Sequence, residues 1–496
     1  MQRIAIRLSL VTLAALASAP AHAQWSTESL SQARGQIATV TVGDWVLFAG
    51  GGIVGSVYAR VDAYNTATDT WTWGDMLSVP RSHIGATVVG DRALFAGGLG
   101  TALTDFFDVV DVYDASIGPP DDPAAWSTAR RLSQERGGVA ATTVGSQAFF
   151  AGGAIVGSVV DVVDVYDASI GPPSSSAAWR VEWLRHARAQ STAVTVGGLA
   201  VFAGGWLAPG GVPVDYVDVY DESKGLWSEA TLSVARILGA DAAAVVGTRA
   251  YFGGGHVSTG GGAEMSDVVD VFDAVGGTWS SETLSVPRGY VAAAAVGNTV
   301  LFAGGVETGH VPSDVVDTLN TGTGKWGSTF LPSQAGRGLC AASVGSKAMF
   351  VGARDADGIV SDVVDVYEPV GVNYCLANPN STGGAATISA LGSASIGAND
   401  LVLRAECVPD QPFVFFHGGA QVQIPFGHGL LCAAGGITRI LPPGFATGQV
   451  AERAVDLPGI GITAPGVRNF QCWFRDPAAG GSGFNLSDGF EITFVP

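Results

Sequence analysis

The chain is poor in charge. Asp, Glu, Lys and Arg make up 14 % of its 496 residues, and methionine occurs 4 times. No block rich in Ala, Glu, Lys and Leu is present, which excludes long amphipathic helices and coiled coils. Basic residues are the scarcest charge: 25 Lys and Arg stand against 44 Asp and Glu, a net charge of −19. Such a chain repels nucleic acid and anionic lipid surfaces, so neither is an expected partner. One extended apolar run occurs, at the N-terminus, and no second run is long enough for a membrane anchor. Disorder is excluded by a hydrophobic content of 47 %.

The N-terminus reads MQRIAIRLSLVTLAALASAPAHAQ. Arg3 and Arg7 precede an apolar stretch, Leu8–Ala19, and Ala21-His22-Ala23 is a small-x-small cleavage site. That pattern predicts a signal peptide over residues 1–23 and a secreted or periplasmic bacterial protein starting at Gln24. The chain holds 5 Cys, and four of them (Cys375, Cys407, Cys432, Cys472) fall in the last quarter. In an exported domain these suggest two disulfides, with three possible pairings. Cys340 sits in the apolar run GLCAASVG and reads as a buried free thiol.

Short runs of Val, Phe and Ala, punctuated by 70 Gly, indicate an all-β protein. DVVDVYDASIGPP stands at Asp108–Pro120 and again at Asp161–Pro173. It is part of a larger repeat. A Phe-Ala-Gly-Gly word or a relative has its Phe at 48, 95, 150, 202, 252, 302 and 350, spacings of 47 to 55 residues. Upstream stand Arg34, Arg81, Arg136, Arg188, Arg236, Arg288 and Arg337. A Val-Gly turn lies between, and downstream come a central Asp (62, 111, 164, 218, 270, 317, 365) and then a Trp. The fifth copy reads YFGGG, and the seventh decays to Gly352-Ala353.

Each unit predicts four short antiparallel strands, the first two joined by a glycine turn. Stacking such units around an axis buries both faces of every sheet. The seventh unit lacks its Trp, while Trp25–Leu30 (WSTESL) matches Trp279–Leu284 (WSSETL). The N-terminal strand is therefore expected to complete the last unit. Gly-Gly, Tyr and Trp at these offsets resemble the kelch repeat, over about residues 24–371. The resemblance implies a seven-bladed β-propeller closed by its N-terminal strand.

Seven Arg match seven central Asp in number. Each Arg is expected to pair with a strand-three carboxylate and clamp a blade, because a charge buried between packed sheets needs a partner. Ligands of propellers usually meet the loops between strands two and three. Here those loops, about 53–59, 99–107, 154–160, 206–214, 256–266, 306–313 and 353–361, vary in length and content. They carry Tyr58, Phe106, Phe107, Trp206, His256, Glu264, Glu307, His310 and Arg354 as candidate binding residues, the aromatics suited to stack on a sugar or a peptide. His256 and His310 lack a third ligand of clear spacing, so no metal and no cofactor is expected.

Some kelch propellers are enzymes. Galactose oxidase-like copper proteins need a Cys cross-linked to a Tyr, and Cys340 is the one Cys of this repeat region. Sialic-acid mutarotases need a Glu and an Arg at the mouth, which Glu307 and Arg354 could supply. No nucleophile elbow or phosphate loop occurs. The expected function is therefore binding of a carbohydrate or protein ligand by a monomer, with a carbohydrate-active enzyme or an adhesive surface protein as alternatives. From about Val372 the repeat gives way to short strands split by Gly, Asn and Pro, a β-sandwich pattern over 372–496. The YC…NPNSTG start and FQCWFRDP…GFNLSDGFEITF end resemble a C-terminal domain of exported planctomycete and myxobacterial proteins. That resemblance implies the pairs Cys375–Cys432 and Cys407–Cys472.

Overall fold

The computed structural model describes residues 25–496 apart from 103, 209–210, 240, 259–262, 323 and 334–335. The expected signal peptide lies outside the described residues. The fold is all-β, built of repeated four-stranded antiparallel sheets that fit a propeller. Among the described residues there are seven of these sheets, and the helices are single 3-10 turns. No helix among them is long and apolar enough to cross a membrane.

The first sheet shows the plan. Ala38–Val42, Trp45–Ala49, Arg60–Asn65 and Thr70–Asp75 pair in chain order. The turn between the first two strands puts Gly43 at φ 56°, and its six counterparts, Gly90 to Gly345, lie between 55° and 59°. A Cβ disfavours that conformation, which is why the turn is always spelled with glycine. The second strand is buried on both faces, the fourth mostly exposed.

The first strands of successive sheets lie side by side, and the strand of the last sheet, Cys340–Val344, packs on Ala38–Val42 of the first. Side chains bridge these neighbours: Thr39 Oγ1 donates to Ala341 O (2.8 Å), and Thr142 and Thr195 hydroxyls meet at 2.8 Å. Trp25–Ser29 pairs antiparallel with Val363–Tyr367, so the start of the chain is the outer strand of its last sheet. Trp25 packs there on Phe350 and Tyr367 (centroids 6.0 and 5.2 Å), as Trp71 packs on Phe48 and Tyr64 (5.6 and 5.3 Å).

Buried Arg–Asp pairs hold six of the seven sheets. Arg34, Arg81, Arg136, Arg188, Arg236 and Arg288 contact Asp62, Asp111, Asp164, Asp218, Asp270 and Asp317 at 2.5–2.8 Å. Arg34 also donates to the carbonyls of Gly50, Gln32 and Phe48. The aspartate accepts in addition from the incoming chain, as Asp62 does from Ser31 N–H. The seventh pair is absent, which corrects the expectation. Arg337 is exposed, and Gly336 occupies the arginine position: its N–H meets Ser313 O as Arg288 N–H meets Ser266 O. Asp365 is left with Ser333 Oγ on one oxygen and no partner on the other. Burial raises its carboxyl to about 6.

After Val370 the sheets change. One runs Val372–Asn373, Phe490–Phe494, Gly466–Arg475, Pro412–Gly418, Thr438–Phe445, with Phe484–Leu486 beside Gly466–Arg475. A three-stranded sheet, Thr387–Leu391, Val402–Glu406 and Val450–Ala454, shares one apolar core with it, including Ile388, Leu403, Phe415 and Phe470. Cys375 and Cys432 form a disulfide. Cys407 and Cys472 do not, contrary to the pairing that the resemblance implied. Cys472 points into the shared core, whereas Cys407 turns outward to the Lys325 ammonium (2.7 Å).

Candidate functional site at the end of the channel

The chain that links one sheet to the next carries its Arg in a fixed clamp, and three more residues bring it to the axis. The residue after each Arg bridges to the loop between strands two and three, as Gly35 does to Gly52 and Ala189 to Trp206. The next residue takes left-handed backbone: Gln36 (φ 57°), His83 (52°), Gly138 (64°), Gln190 (52°), Tyr290 (55°) and Gly338 (70°). Four of these six are not glycine. A side chain there is strained by roughly 1–2 kcal/mol, and such strain concentrates at functional sites. Backbone bonds tie part of the ring together, Gly138 N–H to His83 O (3.0 Å) and Gln190 N–H to Gly138 O (3.2 Å).

Gln36, His83, Gln190 and Tyr290 line a cavity of about 160 Å3 on the axis. Beneath them Ile37, Ile84, Val139, Val291 and Leu339 make an apolar collar. A second chamber of about 210 Å3 continues between the first strands. Asp241 borders both chambers. It is surrounded by protein while keeping some surface toward the lumen, and burial raises its carboxyl to about 7; the Cys340 thiol within hydrogen-bonding reach offsets part of that rise. The Cys340 thiol donates to Ile37 O (2.9 Å), and burial pushes it well above its usual range. His83 is brought down to about 4 by burial and by the positive charge of Arg354, so its ring is neutral at pH 7. Its Nδ1 lies 3.1 Å from Ser82 Oγ.

The residues expected from sequence to bind ligand sit farther out. Five of the seven loops between strands two and three fold into small hairpins. Trp206, His256 and Glu307 lie in hairpin strands whose neighbours touch, Val212–Pro213 against His256–Ser258 and Ala263–Met265 against Val306–Glu307. His256 is lowered by burial and by the charge of nearby His310, and its Nδ1 has no partner. Glu307 accepts from Ser313 Oγ (3.0 Å). Tyr58 and Phe107 are half-buried at equivalent places, their carbonyls accepting from Arg81 and Arg136 N–H. Phe106 bridges to Leu99, and Glu264 is exposed. None of these side chains lines the axial cavity, although Arg354 comes close enough to act on His83.

Sequence reasoning missed the ring and Asp241. The signal was in the spacing. The turn glycine follows the Arg by nine residues at Arg34, Arg81, Arg136, Arg188 and Arg288, but by eleven at Arg236 and by eight at Arg337. The two extra residues in the fifth linker bring Asp241 to the axis. The short count at Arg337 marks Gly336 as the true counterpart.

The chain matches no protein-family model and no curated protein. Among solved structures it is similar to one titled "Structure of YjhT", at 16 % identity and a TM-score of 0.45, over 59 % of this chain and 98 % of that one.

Proposed function

We propose that this is an exported carbohydrate-binding protein: a seven-bladed kelch propeller over 24–371, with a β-sandwich over 372–496, that takes a sugar at the end of its channel. The polar ring carries this reading. Two amides, a neutral imidazole and a phenol converge over an apolar collar, and four left-handed backbones are maintained to hold them there. Amide and phenol groups exchange hydrogen bonds with hydroxyls, and the collar suits the apolar face of a pyranose. The hairpins with Trp206 and His256 and the loop with Arg354 form an outer rim for further sugar units. The test is a glycan array probed with residues 24–496. Saturable binding of a defined glycan supports the reading; an array without signal rejects it.

A second reading rests on Asp241. A carboxyl near pH 7 facing a cavity suits a general acid or base, which would make the site a carbohydrate-active enzyme. In that case Asp241→Asn abolishes turnover of the bound glycan and leaves its affinity within about threefold.

A further inference from the structure

The six-stranded sheet has a second face. Phe413 and Phe415 of Pro412–Gly418 enter the shared core, while Val414 and Phe416 point the other way. Thr438–Phe445 alternates likewise, with Ile440 in the core and Arg439 and Leu441 outside. The hairpin of Ala420–Phe426 and Gly429–Ala434 covers this outer face only in part. Between its Phe426 and Leu431 and the sheet's Phe416, Leu441 and Trp473 lies a cleft of about 610 Å3. The volume is that of a ligand site, and the lining is continuous rather than scattered. Phe484 braces it, 5.4 Å from Phe426 and 5.6 Å from Trp473.

One charged group borders the cleft: Arg439, exposed and without an ion-pair partner among the described residues. An occupant that is apolar along its length and anionic at one end matches both the lining and this charge. A peptide strand does not meet that description. Thr438–Phe445 is an edge strand, but Pro442 and Pro443 remove two of its N–H donors, and the cleft walls offer a peptide backbone almost no partners. A hydrocarbon needs no hydrogen bonds.

We propose that this cleft binds one acyl chain that ends in a carboxylate, the chain lying between the hairpin and the sheet and the carboxylate meeting Arg439. The site is independent of the channel. The test is calorimetry of the full mature chain with dodecanoate below its micelle concentration, with dodecyltrimethylammonium beside it. The expected result is saturable one-to-one binding of dodecanoate, weakened about tenfold or more by Leu441→Glu and about fivefold by Arg439→Gln. Leu441 is 65 % exposed, so its variant should keep the wild-type melting temperature; Phe426→Ser serves if it does not. The proposal is overturned by no saturable heat, by affinity unchanged in Leu441→Glu, or by equal affinity for the cationic amphiphile. Binding to phosphatidylglycerol vesicles without binding of monomeric dodecanoate also overturns it, since that describes a membrane surface.

Discussion

A buried guanidinium is tolerable only when its N–H groups find acceptors, and Arg34 finds an aspartate and three carbonyls. Replacing Arg188 by Met strands Asp218 in the interior. We expect a loss of about 3–5 kcal/mol in chemical denaturation, with much of it recovered by adding Asp218→Asn. Full stability of the single variant would contradict the clamp. The seventh unit carries a matching internal control. The second glycine leaves room for the arginine stem in three of the pairs: a Cβ would sit 2.9 Å from Arg236 Cδ on Gly255, 3.1 Å from Arg81 Cδ on Gly98 and 3.3 Å from Arg136 Cδ on Gly153. Where the Arg has become Gly336, that glycine has become Ala353, and a Cβ on either crowds the other. Gly336→Arg alone should therefore destabilise, and Gly336→Arg with Ala353→Gly should restore stability and lower the Asp365 pKa, readable by NMR titration. By residue type Arg337 reads as the seventh clamp, whereas the nine-residue spacing to the turn glycine points to Gly336.

Copied insertions show what a whole element can hide. The Ile-Gly-Pro-Pro tail of the repeated word caps two buried aromatics: Tyr113 OH donates to Gly118 O and Trp126 Nε1 to Pro120 O, both at 2.9 Å. Tyr166 and Trp179 do the same with Gly171 and Pro173. These bonds tie the insertion to its sheet and give it a structural role that the letters alone do not show. Strand positions were legible because Val-Gly turns, apolar runs and Trp recur with period. The linkers were not, since Gln and Tyr carry no preference for left-handed backbone and a lone His is too weak a sign of it. Glycine stands at the same place in Gly138 and Gly338. Gln190→Gly and Tyr290→Gly are therefore expected to change stability by less than about 1 kcal/mol, the relief of strain offsetting backbone entropy. A larger loss on melting would mean that these side chains serve the fold. The N-terminal strand makes the opposite prediction. A chain starting after Leu30 loses the Trp25 packing and exposes Val363–Tyr367 as an edge, so it should melt lower and self-associate on sizing columns.

Charge buried throughout the molecule sets its response to pH. Burial raises Asp241 and Asp488 to about 7 and Asp365 to about 6. Between about pH 4 and 7 these groups ionise when the chain unfolds but stay protonated in the fold, so their contribution to stability falls as pH rises through that window and levels off above it. Two kinds of group act in the other direction: the imidazoles of His83, His256 and His417, held below their usual range by burial, take up protons on unfolding between about pH 4 and 6.5, and surface carboxylates such as Asp221, held down at about 2 by Lys224 and Ser223, lose their contribution as pH drops below 4. The melting temperature should fall as pH approaches 7, where the histidines no longer oppose the acids, and level off above it, and Asp241→Asn should flatten the fall. A curve rising steadily to pH 8 would contradict these buried acids.

Ligand is expected to meet the channel ring. The most direct measurement is calorimetric titration of an array-selected glycan into wild type, Tyr290→Gly and Trp206→Ala. A ring site predicts affinity lost by at least about tenfold in Tyr290→Gly with melting unchanged, and a smaller loss in Trp206→Ala. Wild-type affinity in Tyr290→Gly, with binding lost in Trp206→Ala, would move the site to the hairpin rim and contradict the account.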